Sequence, residues 1–377
     1  MQAATGYETG DVRPPNESKS LMLRLTRGCS WNRCKFCSLY QQQPFSIRPI
    51  EEVIADIDQL HISVKQIEAV YLANDSSKVR QLLSQVATEQ RAAFHNAWNW
   101  IRHGKSSVFL QDGNSIIVKP KDMLPILQHL TTTFPSIDRI TTYARSKTLF
   151  RVKVDDLITL KEHGLNRIHI GMESGSDIVL ESVNKGVTKA QQVTAGKKVK
   201  QAGIELSVYF MPGLGGTEFT RENAVEAADL FNQINPDYIR IRTLSVSDQT
   251  ELFEALQSGV FTQLNDEQAV DELKLFLQSF KGISSKVRSD HILNLLQEID
   301  GSADHKEQLL IPINNYQQLP EHKRFLYRVG RRIGVYQSLE DLESPELFPY
   351  VQSAIDHNQL DYDNIDQFTK MMMTKFI

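Results

Sequence analysis

The sequence predicts an α/β protein: a partial parallel barrel of six β/α steps, interrupted by a helical insertion and followed by an α-rich C-terminal appendage. Three observations lead there. Short apolar runs suited to strands alternate with helix-period segments between Leu21 and Arg242. Each run leads into a loop of polar residues or glycine, as the carboxyl ends of barrel strands do. From about Glu251 onward the pattern changes to helices without intervening strands. The expected division is a flexible polar leader over 1–20, the barrel over 21–250 with its insertion at about 70–105, and the α-rich region over 251–377.

Taken in order, Leu21–Leu25 is the first strand and feeds directly into a loop holding every cysteine of the chain. A helix then begins near Pro49, with Val53, Ile54, Ile57 and Leu60 on one face. The insertion shows apolar faces of Leu82, Leu83 and Val86, then Phe94, Trp98 and Ile101, which pack against the barrel or form a lid over it. Further strands are expected at Val108–Leu110, Arg139–Arg145, Ile204–Phe210 and Asp237–Arg242, with a strand and loop over Arg167–Gly175. Helices are expected at Pro120–Thr131, Val154–Gly164, Lys189–Ala202 and Glu222–Ile234. Beyond the barrel, Glu267–Phe280, Asp290–Ile299 and Gln318–Gly334 read as helices, the second with an N-cap at Ser289 or Asp290.

A hydrophobic content of 41%, a charged content of 23% and a net charge of −4 describe an ordinary globular protein, with no electrostatic bias toward nucleic acid or an anionic membrane. No apolar run is long enough to span a bilayer, and the first twenty residues lack the apolar segment of a signal peptide. With thiols kept reduced, the expectation is a cytoplasmic protein.

Cys29, Cys34 and Cys37 are spaced Cys-x4-Cys-x2-Cys. Thiolates crowded on one loop point to a metal more than to disulfides. A [2Fe–2S] centre of the plant ferredoxin type needs a fourth cysteine, which the chain lacks. Two ligations stay open. One is a zinc site completed by a histidine such as His61 or His103. The other is a [4Fe–4S] cluster on three thiolates, leaving one iron open to a non-protein ligand.

The remaining strand-end loops carry Gln111-Asp112-Gly113-Asn114, then Tyr143 and Arg145, then Glu173-Ser174-Gly175 with Lys185 beyond, then Ser207 and the Pro212–Gly216 turn, then Arg240 and Arg242. Singly, Glu173 also reads as an ion-paired carboxylate, Pro212–Gly216 as a plain turn, and the two arginines as partners of helix carboxylates. Their joint placement at one rim makes them a candidate site. Ser289-Asp290-His291 with Asn294 is the polar cluster of the appendage, and Asp290 and His291 are its candidate catalytic residues.

From Gly28-Cys29 through Phe36-Cys37, with Gly171-x-Glu173-Ser174-Gly175 in support, the chain resembles the radical S-adenosylmethionine (SAM) superfamily over about Leu21–Leu244. Within it, the likeness is to the branch of coproporphyrinogen oxidase-like, methylthiotransferase-like and elongator acetyltransferase-like enzymes. The resemblance implies a [4Fe–4S] cluster on Cys29, Cys34 and Cys37, with SAM on the open iron. It places Phe36 against adenine, Gln111, Asp112, Gly113 and Asn114 near the SAM amino group, Tyr143, Glu173 and Ser174 near ribose or methionine, and Lys185 near the SAM carboxylate. It also implies an oxygen-sensitive enzyme, an electron donor of flavodoxin or ferredoxin type, and a 5′-deoxyadenosyl radical acting on a small-molecule substrate. The sequence departs from the family pattern in its four-residue first spacing, in Gln-Asp-Gly-Asn for Gly-Gly-Glu, and in Ser207 where coproporphyrinogen oxidases carry a carboxylate. The rival expectation is a non-enzymatic iron–sulfur or zinc protein: a cluster carrier, chaperone or binding module. RNA modification is a third reading, against which the acidic balance and the lack of a basic tail stand.

Overall fold

The computed structural model describes residues 6–10, 14–41, 43–71 and 76–376. They form two compact units. One comprises Leu39–Ile170 with the chain up to Asn32 and Lys197–Leu206; the other comprises Arg33–Ser38, Gly171–Gly196 and Ser207–Ile377.

The first unit contains β1 (Leu21–Arg24), β2 (Thr26–Arg27), β3 (Ser46–Ile47), α1 (Ile50–Val70), α2 (Ser76–Gln85), α3 (Arg91–Arg102), β4 (Ser107–Gln111), α4 (Pro120–Thr133), β5 (Arg139–Ala144), α5 (Ser146–Arg151), α6 (Val154–Glu162) and most of β6 (Leu165–Glu173). β1, β4, β5 and β6 lie side by side and parallel. Leu21–Leu23 and Val108–Leu110 are fully buried, as expected of parallel strands covered on both faces. β1 is the edge of this sheet, and the insertion covers it. The carboxamide of Asn96 on α3 accepts from Met22 N–H (3.3 Å) and donates to Met22 C=O (3.0 Å), as a neighbouring strand would. Trp100 is buried on the same helix and donates from Nε1 to Ser107 C=O at 2.8 Å. Helix α3 therefore packs on the strands; in this unit it is a wall and not a lid.

The expectation of a flexible leader is corrected for the described residues 6–10 and 14–20. Tyr7 is 7% exposed and hydrogen-bonds to Met22 C=O, while Glu17 is wholly buried against Arg139 and His169. The polar composition concealed this, because Glu17 is buried by being paired.

The second unit starts with the last residues of β6 and continues through α7 (Asp177–Ser182), α8 (Lys189–Gln201, shared with the first), β7 (Glu205–Phe210), α9 (Thr220–Ile234), β8 (Tyr238–Ile241), α10 (Glu251–Gln257), α11 (Asp266–Gln278), β9 (Lys286–Arg288), β10 (Asp300–Ser302), α12 (Lys306–Gln318), α13 (Glu321–Arg332), α14 (Phe348–Asn358) and α15 (Ile365–Thr374). β8 pairs in parallel with β7 and β9, and β10 returns antiparallel to β9. Residues 251–377 thus belong to the same unit as the strands before them and contain strands of their own. The expectation of helices alone beyond Glu251 is corrected. β9 escaped notice because of its three residues only Val287 is fully buried, between two charged neighbours.

The helix expected at Asp290–Ile299 is also absent, and with it the N-cap role of Ser289 or Asp290. Ile292, Leu293, Leu295 and Leu296 have helical spacing, but the carbonyls of residues 292–294 accept from Arg331 and Arg332 on α13. Those guanidiniums replace the i+4 amides that a helix would have required.

Asn96→Ala leaves the Met22 amide unpaired at a buried edge. The expected loss is about 1–3 kcal/mol of stability, read from the midpoint of urea unfolding. An unshifted midpoint would refute the edge-capping role.

Candidate active site

In the first unit the site begins at Cys29, just after β2. Its thiol is free and half-buried. Three contacts hold the loop around it. Asn114 donates from Nδ2 to Ser30 Oγ (2.9 Å), the Arg145 guanidinium lies 5.0 Å from the Trp31 ring centroid, and Asn32 donates from Nδ2 to Tyr40 C=O (2.6 Å). Asn32 takes the left-handed conformation, φ +48°, so one residue turns the chain inside the four-residue spacer.

The segment after β4 comes up to Cys29 through its glycine. A Cβ on Gly113 would lie 4.0 Å from the Cys29 thiol sulfur and 3.4 Å from the Tyr40 ring. The other three side chains of the segment are engaged elsewhere. Gln111 exchanges hydrogen bonds with the backbone of Gly10 (3.0 and 3.0 Å). Asp112 is fully buried at φ +75°, paired with Arg24 (2.9 Å) and accepting from the Tyr40 hydroxyl (3.3 Å). Burial raises the Asp112 pKa while Arg24 opposes the rise; burial and the Asp112 charge push the Tyr40 phenol upward. Asn114 also donates to Thr148 Oγ1 (2.8 Å) and accepts from Arg145 N–H (3.0 Å). Gln111, Asp112 and Asn114 thus have scaffold partners, and Gly113 is the member of the segment that faces the thiol. Tyr143 on β5 stands edge-on to Phe109 (5.4 Å) and tilted against His169 (5.5 Å).

The second unit holds Cys34 and Cys37, both half-buried and neither in a disulfide. Cys37 N–H donates to Cys34 C=O (3.1 Å), making a tight turn. Lys35 donates to Val183 C=O (3.0 Å) and accepts from Leu252 N–H (2.9 Å). Phe36 packs on the apolar cluster of Val179, Val183, Met211, Leu214, Leu244, Val246 and Leu252. The Lys185 ammonium sits 5.4 Å from the Phe36 ring centroid and pairs with Glu173 at 3.2 Å. Glu173 has φ +64°, a costly conformation for a side chain with a Cβ, and its carbonyl accepts from Met211 N–H at 2.8 Å. Ser174 is buried and its Oγ accepts from Ser176 N–H (3.1 Å), a turn-forming role. Gly175 is obligatory, since a Cβ there would lie 2.1 Å from the Glu226 carbonyl oxygen on α9.

Arg240 pairs with Asp290 (3.2 Å) and donates from Nε to Ser207 Oγ (3.3 Å). His291 accepts from Leu293 N–H at Nδ1 (3.2 Å), and burial, with Arg242 beside it, lowers its pKa to about 4. The imidazole is therefore neutral at ordinary pH and carries its proton on Nε2.

One residue of this neighbourhood was not legible in the sequence. Glu272 on α11 lies beneath the Pro212–Gly216 turn and accepts from Gly213 N–H (3.2 Å to each oxygen) and from Asn223 Nδ2 (2.6 Å). Burial raises its pKa to about 8, with Asn223 and Gly213 opposing the rise. No spacing links residues 213, 223 and 272, so only the packing of α9 with α11 reveals the group.

Among the described residues, no three His, Cys, Asp or Glu side chains are grouped so as to hold a single metal ion. His103 closes α3 ahead of β4, at the opposite strand end from Cys29, and His61 packs edge-on against Phe134 at 5.7 Å. No described helix is long and apolar enough to cross a membrane.

Residues 23–231, more than half of the chain, match the family model of the radical SAM superfamily. The tRNA uridine(34) acetyltransferase of Methanocaldococcus jannaschii is 25% identical over 109 residues, covering 29% of this chain and 20% of that protein. The CDK5RAP1-like protein of Oryza sativa subsp. japonica is 24% identical over 258 residues, 63% of this chain and 38% of that one. Among solved structures, Methanocaldococcus infernus Elp3 with an N-terminal deletion gives a TM-score of 0.42 at 14% identity, covering 62% of this chain and 64% of that one. The chain spans about a fifth of the length of the first curated relatives.

Because the folded protein holds the Glu272 proton to higher pH than the unfolded chain does, the stability it contributes is full below about 4.5 and declines as pH rises toward about 8. Glu272→Gln removes that titration. Its melting temperature should lose less than the wild type's between pH 5 and pH 8.5, and parallel profiles would show that Glu272 is not the titrating group.

Proposed function

This chain belongs to the radical SAM superfamily, and from that premise we propose that it is an enzyme generating a 5′-deoxyadenosyl radical to take hydrogen from a small-molecule substrate. The family's cofactors are a [4Fe–4S] cluster and SAM. The donors fit them: three thiols on one short loop, none in a disulfide, with no fourth cysteine to close the site. When bound and reduced, the cluster supplies the electron that splits a carbon–sulfur bond of SAM.

In this reading the chain's own residues bind and orient. Cys29, Cys34 and Cys37 hold the cluster. Gly113 lets SAM's amino end approach the backbone beside Cys29, where a larger residue would crowd Tyr40. Lys185, kept in place by Glu173, offers its ammonium to the SAM carboxylate, and Phe36 gives adenine an apolar face. Asp290 fixes Arg240, while neutral His291 offers Nε2–H to the substrate. Low pKa makes His291 a hydrogen-bond donor in place of the acid–base role that its sequence context suggested. Reducing equivalents come from a low-potential flavodoxin or ferredoxin.

The observation that carries the reading is the three-thiol loop inside the matched region. Anaerobic reconstitution should give close to four irons and four sulfides per chain and, with SAM and dithionite, 5′-deoxyadenosine. Cys34→Ala should lose both. A fully reconstituted sample that forms no 5′-deoxyadenosine sinks the enzyme reading in favour of a passive carrier; zinc in place of iron and sulfide sinks the cluster.

With substrate supplied from a metabolite extract, His291→Ala should lower turnover at least about tenfold, the worth of one hydrogen bond, with cluster content unchanged. The wild-type rate should show no limb near pH 6.5, the ordinary imidazole value, because His291 titrates near 4. Loss of the cluster in that variant removes the case for contact with substrate.

A further inference from the structure

Arg242 stands just past the end of β8, its own N–H donating to Phe210 C=O at 3.0 Å. The carboxamide of Asn294 clamps the residues on both sides of it. Nδ2 donates to Ile241 C=O (2.8 Å), and Oδ1 accepts from Thr243 N–H (2.9 Å) and Thr243 Oγ1 (3.0 Å). The loop carrying Asn294 is pinned in turn. Arg331 donates to Ile292 C=O (3.2 Å) and Asn294 C=O (3.1 Å), Arg332 to Leu293 C=O (2.8 Å), and Tyr327 to Leu295 C=O (3.2 Å). Two arginines, each 2% exposed, are thus committed to holding an irregular loop in one shape. Such support around non-repetitive backbone is what a binding site requires.

The charges there do not cancel. Asp290 matches Arg240 at 3.2 Å, and Asp266 matches Arg332. Arg331 is turned onto carbonyls. His291 is neutral, with Nδ1 occupied by Leu293 N–H and the proton on Nε2. Among the described residues, the half-buried Arg242 guanidinium has neither hydrogen bond nor ion pair. A planar donor fork with none of its positions used, next to a neutral N–H donor, suits a carboxylate.

We propose that Arg242, with His291 Nε2–H beside it, binds a carboxylate group of the substrate, so that the substrate class is a carboxylic acid. This rests on the proposed radical chemistry for the word substrate, but the binding itself does not. The test is saturation-transfer NMR on acetate with the reconstituted protein, without SAM or reductant, at constant ionic strength set with chloride. The expected result is saturable transfer to the acetate methyl group, competed by propionate. R242Q should weaken it at least about tenfold, and R242K, which keeps the charge but loses the fork, about threefold. Acetate binding that is absent, that is unchanged in R242Q, or that inorganic phosphate displaces more effectively than propionate overturns the proposal. If R242Q does not fold, an unaltered affinity in R242K does the same. A failure of 5′-deoxyadenosine formation would leave this measurement unaffected, so the two readings stand or fall separately.

Discussion

Backbone groups left over where strands end in the interior must find partners, and in this protein side-chain carboxamides supply them. Asn96 stands in for a missing neighbour at the edge of β1. Gln111 completes the backbone of Gly10, Asn114 that of Arg145, Asn223 that of Met211, and Asn294 that of Ile241 and Thr243. All five are nearly or fully buried. Each amide offers both a donor and an acceptor, so it can imitate a strand neighbour with no strand present. The loops that carry the candidate chemistry inherit their shape from this substitution.

Charge plays the same part in the second unit. Asp266 is 4% exposed and meets Arg332 and Arg328, so its carboxyl stays below the usual range even though burial alone would raise it. Removing one partner from such a set costs about 3–5 kcal/mol, because the charge left behind is buried without compensation. Helix α13 is tied down by these pairs, and Arg331 and Arg332 pass that rigidity to the loop of Asp290, His291 and Asn294. The arginines look alike in the sequence. Their surroundings divide them into cations on α13 tied to carboxylates or carbonyls and Arg242, whose guanidinium makes neither hydrogen bond nor ion pair among the described residues.

The sequence was informative where a signal is local. Apolar runs placed β1, β4, β5, β7 and β8, and glycine stops placed the ends of several helices. Cysteine number and spacing excluded a plant-type [2Fe–2S] centre, and Gly171-x-Glu173-Ser174-Gly175 marked a turn whose glycine lies against α9. It was silent where hydrogen-bond partners are distant. Gln111, Asp112 and Asn114 do follow a strand end, yet their polar groups serve Gly10, Arg24 and Arg145. Ile292–Leu296 has helical spacing without a helix, because arginines some forty residues later take its carbonyls. Glu272 gave no signal at all.

The sequence alone determined the class of protein. Periodicity dictates alternating strands and helices, and residues 23–231 match the radical SAM family model. Tertiary structure decided which polar side chains remain for ligands. A residue's type states what hydrogen bonds it makes; packing decides who accepts them. Gln111, Asp112 and Asn114 meet Gly10, Arg24 and Arg145, Gly113 comes up beside Cys29, and the Arg242 guanidinium is left without a hydrogen bond or ion pair among the described residues.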